Sequence, residues 1–243
     1  MATKKEKNAV AVAAPKGAPA TLQNRGRGFE EETQREDLII PRAKLLQSTS
    51  TEIQAGEKDL KVGQIINSLT KEVLPSVFIP VFKFTNWIRF NPRDAKADGY
   101  LKEFGPGDII WRSNDPYDPR VQTEGKFGDD GSKPLATKFL NFFSYFPGVP
   151  MPVIVSFSNS SFKAGKRLLS LAQFTGGDMF SKQYVLSSVK EQNDLGTFYV
   201  LKVDVTEPPK ELDFNLSEKL WDDFHSKEIK VDDSGVAEEA RPY

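Results

Sequence analysis

The run VFIPVFKFTNWIRFNPRD, residues 77–94, constrains this chain more than any other stretch. Its Val, Ile, Phe and Trp content fits a pleated, half-buried surface, so it reads as one long strand that needs a sheet around it. Alternation puts Phe78, Pro80, Phe82, Phe84, Ile88 and Phe90 on one face and Val81, Lys83, Thr85, Trp87 and Arg89 on the other. The first face is apolar enough to be core. The second joins two cations to an indole, the combination that holds single-stranded nucleic acid by its phosphates and stacked bases. The competing reading packs Trp87 beneath the long loop that follows, with ordinary surface cations beside it.

The flanking sequence supplies the sheet. In LIIPRAKLLQ, Pro41 argues for an edge strand or a strand followed by a short helix. Short strands punctuated by Gly56, Gly63 and the turn NSLTKE then lead into residues 77–90. From Asn91 to about Lys133 the chain is loop-like around one short strand, DIIWRS, and a loop of that length in a compact domain is functional or mobile. ATKFLNFFSYFPG and MPVIVSFS read as further strands. In the first of them alternation sets Phe139, Phe143 and Tyr145 against Phe142 and Phe146; most are core, and Tyr145 is the ring whose hydroxyl tolerates a ligand surface.

Ser160 or Ser161 can cap a helix whose apolar stripe is Phe162, Leu168, Leu169 and Ala172, with Lys163, Lys166 and Arg167 largely off it. KQYVLSSVK and TFYVLKVDV flank a hairpin turn, and LSEKLWDDFHSKE sets Leu216, Leu220, Trp221 and Phe224 on one helical face. A helix between the strand at 151–157 and the hairpin at 182–205 suits a mainly β, OB-like Greek-key barrel with a C-terminal helix. A β-sandwich with peripheral helices is the alternative. The expected organisation is a disordered basic arm (1–28), a β-rich body (29–205), an amphipathic helix (206–225) and an acidic disordered tail (226–243).

Composition narrows the chemistry. The chain has no cysteine, and His225 is its one histidine, so disulfides, thiolate metal sites and cysteine nucleophiles are excluded and a typical zinc centre lacks ligands. No cofactor or metal is expected. No apolar run approaches the roughly 20 residues that cross a bilayer, and the start does not resemble a secretory signal, which places the chain in the cytoplasm. Net charge is −1, but residues 1–28 carry +5 and residues 204–243 carry −7. Solvated termini explain that ordering as well as a functional arm and tail do. Asp108, Glu124 and Lys126 loosely match the Asp and Glu-x-Lys spacing of metal-dependent nucleases, in which carboxylates hold Mg²⁺. That spacing is short and common by chance.

EDLIIPRAKLLQSTSTEI, then GQIINSLTKEVL, IPVFKFTNWIRF and MPVIVSFSNSSFKAGKRL through YVLSSVKEQNDLGTFYVLKV, resemble tailed-phage early proteins related in layout to phage single-stranded-DNA-binding proteins. The resemblance covers about residues 36–205. It implies an OB-like body and partners in DNA replication or recombination. Such proteins commonly end in an acidic tail with a terminal aromatic that recruits partners; here KEIKVDDSGVAEEARPY holds five acids and three bases, and Arg241 beside Tyr243 departs from the pattern.

The expected function is therefore non-catalytic, sequence-tolerant binding of single-stranded DNA. Lys83, Arg89, Lys138, Lys163, Lys166 and Arg167 would hold phosphates, and Trp87, with Trp111 or Tyr145, would stack on bases. A phage virion or assembly protein, with the aromatics as interface anchors, is the alternative.

Overall fold

Pro41 has no N–H to give to a ladder, and the first strand breaks there into β1 (Ile39–Ile40) and β2 (Ala43–Leu45). The computed structural model describes residues 38–57, 59–174, 176–194, 196–226 and 230–232. One turn of helix, α1 (Thr51–Gln54), and β3 (Ile65–Asn67) precede the long strand β4 (Val77–Phe90). Next come β5 (Ile109–Ser113), α2 (Pro119–Glu124), β6 (Ala136–Tyr145) and β7 (Val153–Phe157). A 3₁₀ turn at Asn159–Ser161 runs into α3 (Phe162–Phe174), and a second lies at Met179–Ser181. The hairpin β8 (Tyr184–Asn193) and β9 (Gly196–Val205), then α4 (Glu211–Phe224) and β10 (Lys230–Val231), complete the fold. β10 pairs in parallel with β1. The basic arm (1–28) and most of the acidic end (226–243) lie outside the described residues.

The fold is mainly β, as expected, and built on one six-stranded antiparallel sheet in the order β7-β6-β4-β8-β9, with β5 also paired to β4. β4 is its backbone. Its first two residues pair with β8, most of its length pairs with β6, and its last four residues pair with β5. The register shifts between Pro80 and Phe82, leaving Val81 as the extra residue of a bulge. That bulge corrects the strict alternation expected for this strand. Phe78 is buried on the side of α3, whereas Phe82 and Phe84 join Ile79 and Val81 on the side of α4.

Both faces of the sheet are covered. On one, Leu168 and the flank of α3 pack on Phe142, Phe146, Val155 and Phe157, and the sheet curls until Tyr184, Leu186 and Val203 join the same core. On the other, Leu220 and Phe224 of α4 pack on Phe143, Tyr145 and Ile154. Trp221, expected on that helical face, is instead partly exposed and stacks on His225, with ring centroids 3.6 Å apart.

The closed OB-like barrel is not formed among the described residues, since β9 and β7 do not pair. Side chains occupy the edge of β9 instead. The Gln47 amide donates to the Tyr199 carbonyl at 2.8 Å and accepts from the Tyr199 N–H at 2.9 Å, and Ser161 Oγ accepts from the Leu201 N–H at 3.0 Å. An edge so satisfied cannot template another strand at those positions.

Gly165 sets how closely α3 approaches the sheet. A Cβ there would lie 2.6 Å from Phe157 Cβ, an atom fixed by its own backbone. Gly165→Ala should therefore destabilise the fold by about 1–3 kcal/mol despite the better helix propensity of Ala, as read by urea unfolding. A gain in stability would mean that α3 can back away from β7 freely.

Candidate nucleic-acid interface

Register fixes where the predicted residues stand. Lys83, Thr85, Trp87 and Arg89 pair with Phe142, Leu140, Lys138 and Ala136, so they share the sheet face that carries α3. Beyond the end of α3, however, this face is roofed. Asp118 caps α2 by accepting from the Arg120 N–H at 2.9 Å, Pro119 supplies a preset first-turn φ, and Val121 of the resulting helix lands on Trp87 and Trp111.

Trp87 is thus 7% exposed and Arg89 likewise 7%, which corrects the expectation of an open stacking face. The Arg89 guanidinium meets Glu124 at 2.5 Å and donates to the Gly99 carbonyl at 2.9 Å. Trp111 is also buried, its indole N–H donating to Glu124 at 2.7 Å. Tyr145 lies on the opposite face under α4, where its hydroxyl donates to Asp213 at 3.2 Å. Burial, reinforced by the Asp213 carboxylate, pushes its pKa up to about 12. Among the expected stacking rings, then, none is presented to solvent.

The same contacts account for the nuclease-like residues. Glu124 is engaged by Arg89 and Trp111, Asp108 accepts from the Gly105 N–H at 2.7 Å within its own turn, and Lys126 donates to Gln122. No cluster of three or more metal-ligating side chains occurs among the described residues.

The expected cations divide. Arg167 pairs with Asp204 at 3.3 Å, and Lys163 stands exposed on α3. Lys83, Lys138 and Lys166 converge: Lys138 Nζ lies 5.2 Å from the Trp87 ring and Lys166 Nζ 5.2 Å from the Phe162 ring. Burial and the neighbouring ammonium groups of Lys83 and Lys166 pull the pKa of Lys138 down. None of the three forms an ion pair among the described residues. An uncompensated cluster of this kind is stabilised by any anion that enters it.

Lys138 also borders a groove of about 1040 Å³ that runs between the loop after β4 and the segment before β6. Phe127, Leu135 and Phe162 supply its apolar lining, Arg93 and Lys133 add positive charge, and Asp94 and Asp98 stand among the lining residues. Phe127 is 71% exposed, an open ring in a polar loop. One buried side chain organises the loop after β4: the Asn91 amide donates to the Leu101 and Phe104 carbonyls and accepts from the Leu101 N–H at 2.8 Å. Sequence reasoning missed Phe127, Phe162 and Arg93 as site residues. The available signal was the lone aromatic in GKFGDDG, a ring that glycines and charges leave nothing to pack against.

No helix among the described residues is long and apolar enough to cross a membrane. A family profile described as Pam3 phage gp34-like protein matches residues 5–230. No curated protein and no solved structure matches the chain significantly.

Proposed function

We propose that this chain, which belongs to the Pam3 phage gp34-like protein family, binds single-stranded DNA without sequence preference along the groove beside Lys138. The cluster of exposed cations that Lys83 and Lys166 form about Lys138, which itself lines the groove, carries this reading. A strand whose phosphates approach the lysines relieves their repulsion and releases its own counterions. Its bases then meet Phe127 and Phe162, and stacking on a ring is indifferent to base identity. Trp87 serves from below, as the floor on which Lys138 rests. The setting we infer is phage DNA replication or recombination in the host cytoplasm, with the acidic end recruiting partner proteins.

Phe127→Ala tests the stacking half of the proposal. It should weaken binding of a labelled oligo-dT by about 1–3 kcal/mol in a fluorescence-anisotropy titration while leaving thermal unfolding unchanged, because the ring is already in water. Wild-type affinity in the variant would remove Phe127 from the interface.

A further inference from the structure

β6 follows one edge of β4 along most of its length, but on the other edge the neighbours of β4 stand apart. β8 pairs there with Val77 and Phe78, and β5 with Trp87–Phe90. Between them, from Ile79 to Asn86, this edge meets no strand among the described residues, and no backbone hydrogen bond joins it to another segment. The 3₁₀ turn at Met179–Ser181 lies against β4, and its Phe180 shares a core cluster with Ile79 and Val81, so the near end is covered. The open part is Phe82–Asn86, about 17 Å of strand. Every second residue of an antiparallel strand turns its N–H and C=O outward, so the gap presents a row of donors and acceptors that a further strand can meet.

The side chains beside the gap define the strand that fits. On the face of α3, Lys83 is exposed and stands with Lys166 about Lys138, so a carboxylate opposite it is favoured and a cation is not. On the face of α4, Phe82 and Phe84 are half-buried rings that an apolar neighbour would cover. A second copy of this chain suits the gap poorly, because antiparallel pairing of two such edges about their centre brings the two lysine clusters together. We propose that the gap accepts an extended segment of a partner protein as an added strand, with carboxylates on the Lys83 face and apolar side chains on the Phe82 and Phe84 face. The inference does not depend on DNA binding in the groove.

Fluorescence anisotropy of a labelled octapeptide of alternating Glu and Val, titrated with the full chain, tests it. Two further versions carry backbone N-methyl groups, on every Val or on every Glu. Residues of one kind all turn their N–H groups to the same side of an extended strand. One version should therefore bind about tenfold or more weakly than the parent, and the other about equally. Lys83→Glu should weaken binding about fivefold or more with thermal unfolding unchanged, since the side chain is exposed. Equal affinity of the two methylated versions reduces the contact to attraction by the lysines, and wild-type affinity in Lys83→Glu removes the carboxylates from it; either result overturns the proposal. So does the absence of saturable binding: a chain that then sediments as a dimer has given the edge to a second copy, and a monomer keeps Lys83 there only as a guard against other strands. Oligo-dT takes no part in this measurement, so its failure leaves the groove reading untouched.

Discussion

Trp87→Ala lowers the stability of the folded chain by about 3–5 kcal/mol, the range for deleting a large ring from a packed interior. The ring is enclosed by Trp111, Val121 and Ala136 and covered by Lys138, so the deletion leaves a cavity that this rigid sheet cannot close. For a chain of this size the melting temperature should fall by roughly 6–20 °C. Binding should weaken only as far as Lys138 loses its seat. An unchanged melting curve together with lost oligonucleotide affinity would show that Trp87 leaves its pocket to stack on bases, and the roof formed by α2 would then be a movable lid.

Glu52→Gln should cost a comparable amount, about 3–5 kcal/mol, by a different cause. Lys44 and Glu52 are each 4% exposed, and the carboxylate accepts from both Lys44 and Lys71. Neutralising it removes the carboxylate that accepts from the buried Lys44 ammonium at the junction of β2, α1 and the 68–73 turn. Burial opposes the ionisation of Glu52, but the two ammonium groups prevail and hold its pKa near about 2, against an ordinary value of 4.5. A carboxylate with a depressed folded pKa contributes stability that is whole above the unfolded value and disappears as pH falls through the folded one. Wild type should thus lose up to about 3 kcal/mol between roughly pH 4.5 and 2 from this group, and the Gln variant should lack that component. Parallel stability profiles for the two proteins across that window would contradict the assignment.

How much of this was legible beforehand follows from what each signal depends on. The long strand, the hairpin, α3 and α4 rest on local periodicity; the first three form where the pattern placed them, and α4 forms but begins earlier, at Glu211, and ends at Phe224. The bulge at Pro80 does not follow from alternation, and it moved Phe82 and Phe84 to the opposite face from Phe78. The edge of β9 is met by Gln47, distant in sequence, rather than by β7, a contact no periodicity encodes. The site divided along the same line. Alternation and helix phase, which are local, set the face that each of three expected lysines occupies, and the long-range β4–β6 register brings them together. The indoles and Arg89 are covered because Asp118 and Pro119 start a helix inside what reads as loop, and its Glu124 reaches back to them.

The salt dependence of oligo-dT affinity tests the central claim most directly, because each phosphate held by a cation contributes about 0.7 to the slope of log K against log salt. Replacing Lys83, Lys138 and Lys166 together with Ala should lower that slope by about 2 and weaken binding most at low salt. The three side chains are exposed, so unfolding should be little changed. Wild type with no measurable affinity at low salt, or a triple variant with the wild-type slope, would contradict the account and turn attention to the same aromatics as a protein-binding surface.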